Sequence, residues 1–220
     1  IHPAQNVPAP DVGTSADEMA WIADEYRRIH PTDINALACV TGKPTTKGGL
    51  VGRSEATGRG VQYIIKEFFR HEDDCLKAGF KGGLKDKKVS IQGLGNVGYH
   101  AAKFLQEEDE CKIICVMERN GAITNPDGLN VEKIKAYLSE HGTFEGCSEG
   151  KFATNSSDFL SMKCDILIPA AKENVIDKSN AQEIKAKLIV EAANGPITYD
   201  ADELLNTRNV IIIPDIIANA

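Results

Sequence analysis

The chain has 220 residues, 42% of them hydrophobic and 26% charged, which is long enough for a well-buried core and ordinary for a soluble globular protein. Its formal net charge of −7 argues against a nucleic-acid partner, which would need a basic face, and no apolar run approaches the roughly 20 residues that cross a bilayer. Six scattered cysteines without a C-x-x-C pair argue against a metal centre and read as free, core-filling thiols of an intracellular protein, with mitochondrial matrix and cytoplasm both open.

Residues 1–14 are extended and proline-punctuated, with neither the basic start nor the apolar stretch of a signal peptide. Ser15 and Glu18 have capping-box spacing and predict a helix to Ile29, with Trp21, Ile22 and Tyr26 on its buried face and His30-Pro31 ending it. Residues 39–60 read as a Gly- and Thr-rich loop, overlapped at its end by a helix from Ala56 to His71 with Val61, Ile64, Ile65 and Phe68 at the helical period. Residues 71–87 are polar and carry no assigned element. The chain then alternates: strand 88–92, helix 97–107, strand 112–117, helix 130–140, strand 164–168, helix 178–186, strand 187–192, helix 200–206 and strand 209–213. That order predicts an α/β fold, a doubly wound parallel sheet with helices on both faces. Asn125-Pro126-Asp127-Gly128 is a turn with no catalytic role, and the last strand has no closing helix. Both ends look cut, so the chain reads as a piece of something larger.

The run Lys88 to Gly98 carries the most chemistry. A buried strand turns into a helix through Gly93, Gly95 and Gly98, and twenty residues after Gly98 the next strand ends in Glu118. Gly93 allows a tight turn, Gly95 lets backbone approach a pyrophosphate, and Gly98 lets helix pack on strand. A carboxylate at position 118 can accept both ribose hydroxyls, and free N–H groups at the helix N-terminus favour an anion. The adjacent Arg119 could hold a 2′-phosphate, so NAD and NADP both remain open.

A nucleotide fold does not name a reaction. Asp11, held between Pro8-Ala9-Pro10 and Gly13-Thr14, is suited to proton transfer, or else to a turn or helix-cap role. That segment, with Thr41-Gly42-Lys43-Pro44, Gly52-Arg53-Ser54-Glu55-Ala56-Thr57-Gly58-Arg59-Gly60-Val61 and Gln92 to Gly98, resembles the glutamate dehydrogenases. Cys164 to Ala171, Glu191 to Pro196 and Val210 to Asp215 continue the likeness in order, and the animal-type branch resembles the chain more than the short bacterial one.

The resemblance implies a Rossmann-like domain over 51–220, truncated at its C-terminal side, after an incomplete end of the substrate domain over 1–50. It also implies reversible oxidative deamination of L-glutamate to 2-oxoglutarate and ammonia, with hydride transfer to NAD or NADP, in a homo-hexamer. Asp11 matches the catalytic proton carrier and Arg53 a substrate-side arginine. Thr57, Gly93, Gly95, Asn96, Val97, Gly98, Glu118, Ala170 and Ala171 match the coenzyme site, and Asn194 and Asn219 match asparagines near the nicotinamide. The family's catalytic lysine and carboxylate-clamping lysines have no counterpart here, and Glu55 stands where an uncharged residue is usual. A dehydrogenase of apolar amino acids and a non-catalytic nucleotide-binding module are the alternatives.

Overall fold

The computed structural model describes residues 1–11, 13–155 and 160–219. The chain divides into two compact units, Ile1–Arg53 and Ser54–Ala220. No helix among the described residues is long and apolar enough to cross a membrane.

In the first unit, helix α1 spans Ala16–Ile29 and its capping box forms as the sequence predicts: Ser15 Oγ accepts the Asp17 N–H and the Glu18 carboxylate accepts the Ser15 N–H. Its inner face differs from the predicted one. Met19, Ala23 and Tyr26 pack with Ala36, Cys39 and Val40, while Trp21 is 65% exposed and Ile22 only partly buried. Positions 19, 23 and 26 follow the helical repeat, and Trp21 falls outside it. Two short 3₁₀ turns, Ala36–Cys39 and Thr45–Lys47, complete the unit.

Helix α2 spans Arg53–Arg70, starting three residues before the predicted Ala56 and converting the end of the expected loop into helix. Gly58 looked like a loop residue and is instead a helix contact, since a Cβ there would sit 2.6 Å from His100 Cβ and 2.8 Å from the Ala101 nitrogen. A short helix α3, Glu72–Lys77, fills the unassigned stretch and anchors it through buried Cys75, Ala78 and Phe80.

Among the described residues the sheet has seven strands: β1 Lys88–Gln92, β2 Lys112–Glu118, β3 Gly121–Thr124, β4 Lys151–Ala153, β5 Ile166–Pro169, β6 Leu188–Val190 and β7 Ile211–Ile213. Their order is β4-β3-β2-β1-β5-β6-β7. The expected parallel pairs join β1 to β2 and β5, β5 to β6 and β6 to β7, but β3 and β4 add an unexpected antiparallel edge, being as short as β5 to β7 without their continuous apolar run. Val89, Ile91, Ile166, Ile168, Leu188 and Val190 join one core with residues of α2, α4 (Asn96–Glu107) and α5 (Val131–His141). Leu167, Ile189 and Met117 belong to a second core with Ile176, Ile184 and residues of α6 (Tyr199–Thr207). Two separate cores sharing alternate residues of one sheet are the signature of double winding.

The helix expected over 178–186 is absent: the segment makes turns and a single 3₁₀ turn, Ala181–Glu183. Asp177 Oδ1 accepts the Ser179 N–H at 2.7 Å and Asn180 Oδ1 accepts the Asp177 N–H at 3.0 Å, so side chains satisfy backbone donors locally and compete with the helix. After β7, a one-turn helix α7, Asp215–Ala218, stands where no closing helix was expected. All six cysteines are buried, and burial pushes the Cys111 and Cys115 thiols up to about 12 and that of Cys164 up to about 11. At those values they stay protonated and unreactive at neutral pH.

Candidate functional site

From β1 the chain steps outward to β2 on one side, and it later returns beside β1 as β5 and steps outward to β6 on the other. The crevice outside the carboxyl ends of β1 and β5 is therefore the topological switch point, where open α/β sheets bind ligands. Gly93, Glu118, Ala170, Ala171 and Asn194 all follow or end strands at that edge.

The three glycines have separable geometric causes. Gly93 adopts φ +91°, and a Cβ there would meet Ala171 Cβ at 2.9 Å and the Ala170 oxygen at 3.0 Å. Gly98 is tighter still, because its Cβ would lie 1.9 Å from the Gly93 carbonyl oxygen and 3.3 Å from Ala170 Cβ. Ala170 and Ala171 thus form the floor against which the turn is folded, with the Ala170 N–H donating to the Gln92 carbonyl at 2.8 Å. At Gly95 a Cβ would meet nothing within 4 Å, so neither packing nor a positive φ requires a glycine there.

That open approach leads to the start of α4. Gly95 is its extended N-cap, no side chain caps the helix, and its first turn holds no acidic residue. The N–H groups of Asn96, Val97 and Gly98 are among the first-turn donors a helix leaves to an outside acceptor. Asn96 is exposed and Val97 packs partly into the core. An uncapped N-terminus beside a glycine that leaves room for an outside group fits the pyrophosphate of a dinucleotide.

Leu94, at the centre of the turn, is held on three sides. Its side chain is buried, its N–H donates to Glu118 Oε1, and its carbonyl accepts Lys135 Nζ at 2.9 Å. Glu118 is therefore at the turn, as its position at the end of β2 suggests. Lys135 was not singled out by any sequence pattern, since it lies 41 positions from Leu94 on α5 and only the tertiary fold joins them.

Glu118→Ser tests the carboxylate's place at a ribose. It should raise the ratio of NADPH to NADH affinity several-fold, about 1–2 kcal/mol for a lost hydrogen bond to a charged group, measured by fluorescence titration. Glu118→Gln, which can keep an acceptor for the Leu94 N–H, should shift the ratio in the same direction. An unchanged ratio in both variants would confine Glu118 to supporting the turn.

At the far side of the crevice, Asn219 Nδ2 donates to Asn194 Oδ1 at 2.8 Å, so the structure joins two asparagines that are 25 residues apart. Thr57 is on α2, next to Gly58, whose close contacts are Val97, His100 and Ala101 of α4. Sequence reasoning gave Glu191 no role, yet it is buried beneath the asparagine pair's two segments.

In the first unit, Asp11 sits in a loop closed on itself by Thr14. Thr14 Oγ1 accepts the Asp11 N–H at 2.8 Å and donates to its carbonyl at 2.9 Å. Ser15, not Asp11, caps α1, which removes one of the two bland roles open to the aspartate. The Thr41 N–H donates to the Pro8 carbonyl at 2.9 Å. A Cβ on Gly42, which adopts φ +69°, would meet the Pro10 ring at 2.7 Å and Arg53 Nε at 3.1 Å. Gly42 is thus the gap that lets the Asp11 loop and Arg53 converge, a role its place in Thr-Gly-Lys-Pro did not declare. Lys43 beside it is buried and donates to the Val40 carbonyl.

The strand order, the glycine turn and the acidic residue that ends β2 together define a fold of Rossmann type. The comparisons narrow the class. A family model described as Glutamate/Leucine/Phenylalanine/Valine dehydrogenase matches residues 48–220, and the dimerisation domain of the same group matches residues 1–28. The chain belongs to the Glu/Leu/Phe/Val dehydrogenase family. It is 50% identical over 220 residues to a mitochondrial glutamate dehydrogenase of Dictyostelium discoideum, covering all of this chain and 44% of that protein. It is 46% identical over 215 residues to an NADP-specific glutamate dehydrogenase of Saccharolobus shibatae, covering 98% of this chain and 48% of that one. Among solved structures, a hetero-hexameric glutamate dehydrogenase from Thermus thermophilus superposes with a TM-score of 0.84 at 26% identity, over the whole chain and 49% of its own. The chain spans about half the length of the curated relatives it matches.

Proposed function

We propose that these residues form the coenzyme-binding half of a glutamate dehydrogenase, preceded over 1–50 by the end of its substrate domain. In this reading the whole enzyme interconverts L-glutamate with 2-oxoglutarate and ammonia using NAD or NADP, as a hexamer. The observation that carries it is the glycine turn: Gly98 is locked against Gly93 while Gly95 stays open beside an uncapped helix N-terminus, and glutamate dehydrogenases match the chain end to end.

A bound nicotinamide coenzyme supplies the hydride acceptor or donor. This chain's own residues do the rest. The first turn of α4 takes the pyrophosphate, Glu118 the adenosine ribose, and the Asn194–Asn219 pair borders the nicotinamide, with Thr57 beside α4. Arg53 faces the substrate, and Asp11 carries a proton between water, ammonia and the substrate nitrogen. Holding donor and acceptor carbons in line is the larger contribution, since orientation removes an entropic barrier before chemistry begins.

The 220-residue chain should bind NADH with saturable fluorescence enhancement but turn over no glutamate, because the carboxylate-clamping lysines implied by the resemblance have no counterpart in it. Titration of NADH with a parallel glutamate assay checks both halves. Turnover by this chain alone would mean that the catalytic lysine has been misplaced; no binding would remove the coenzyme reading.

A further inference from the structure

Glu191 is a buried carboxylate at the carboxyl edge of the sheet for which the coenzyme reading supplies no task. It follows β6 directly, and its N–H donates to the Ile213 carbonyl of β7 at 3.0 Å. Its Oε2 accepts the Asp215 N–H at 3.0 Å. That donor opens α7.

Asp215 answers in the opposite direction, its Oδ2 accepting the Gly195 N–H at 2.8 Å. The two segments tied by this reciprocal pair each carry one member of the Asn194–Asn219 hydrogen bond. On the outer side the Asn174 N–H donates to the Gly195 carbonyl at 2.9 Å, so the loop is braced from both flanks. Keeping a carboxyl group in such a place is costly. Burial pushes Glu191 above the usual carboxylate range and the like charge of Asp215 adds to this, while the nearby backbone N–H groups of Asp215 and Ile197 oppose it. An apolar side chain would fill the same space without that desolvation cost, but it could not hold the backbone donor that opens α7.

We infer that Glu191 is a positioning residue that, with Asp215, locks the loop after β6 to the start of α7 and so fixes the Asn194–Asn219 amide pair at the nicotinamide end of the crevice. The inference rests on the coenzyme reading above. The two acids set an angle and a distance and do not touch the reacting atoms.

The test uses the full-length enzyme with glutamate and coenzyme, reading hydride transfer by stopped flow, NADH affinity by titration and thermal midpoint together. Glu191→Leu keeps roughly the side-chain volume but removes the acceptor of the Asp215 N–H. Hydride transfer should slow about 10- to 100-fold, the scale of a small misplacement, while NADH affinity changes less than about threefold. In an Asn194→Ala background the same change should add less than about twofold, because both substitutions act through one amide. Asp215→Ala should give the same rate loss and the same non-additivity, and it decides the matter if Glu191→Leu does not fold.

Wild-type transfer rates in Asp215→Ala and in a folded Glu191→Leu would overturn the inference. So would full additivity with Asn194→Ala, which would make the acids general supports of stability. An Asn194→Ala enzyme that transfers hydride at the normal rate would instead bring down the placement of the nicotinamide, and this inference with it.

Discussion

Asp11→Asn should lower kcat by about 10²-fold or more in the full-length enzyme and leave NADH affinity within about twofold, the pattern of a lost acid-base group. The substitution is clean because Thr14 holds the loop through the Asp11 N–H and carbonyl, which asparagine retains. Steady-state kinetics with saturating coenzyme would check it. A variant with near-normal kcat would assign the aspartate to the turn, the one bland role left once Ser15 is seen to cap α1.

The second large effect separates two glycines that a motif treats alike. Gly98→Ala should destabilise the domain by about 1–3 kcal/mol and weaken NADH binding more than tenfold, because its methyl meets a backbone oxygen that cannot move without opening the turn. An approach of 1.9 Å is far inside contact distance. Gly95→Ala should leave the thermal midpoint almost unchanged. A Cβ there meets open space at an ordinary φ of −71°, and the entropic gain of alanine roughly offsets its poorer N-cap behaviour. Its coenzyme affinity should still fall about tenfold, since the only group that methyl can obstruct is one arriving from outside. Melting curves and NADH titrations on both variants check the pair; intact binding in Gly95→Ala would mean that no backbone approach occurs at that position.

What the sequence declared most clearly was set by short-range physics. The capping box at Ser15 and the strand-turn-helix through Gly98 each depend on residues within a few positions of one another. What it hid was decided by partners far away. Gly58 and Gly60 read as loop residues because glycine weakens helices, yet α4 approaches so closely that Gly58 must lack a side chain. The antiparallel β3 and β4 are as short as β5 to β7 but lack the continuous apolar run that marked those strands. Over 178–186 the apolar spacing of Ala181 and Ile184 suited a helix, but Asp177 and Asn180 spent their oxygens on local turns. The site divides the same way: its glycines were legible, whereas Lys135, Gly42 and Glu191 acquired their places through contacts 11 to 41 residues distant.

Trp21 is the chain's sole tryptophan and lies exposed on α1, in the unit that lacks the glycine turn. Its ultraviolet emission is therefore a one-residue label built into the first unit, and reduced nicotinamide bound in the second is a natural acceptor for that light. Energy transfer between them would act as a ruler from one unit to the other, reporting their separation in solution and any closure on adding glutamate without a single dye being attached.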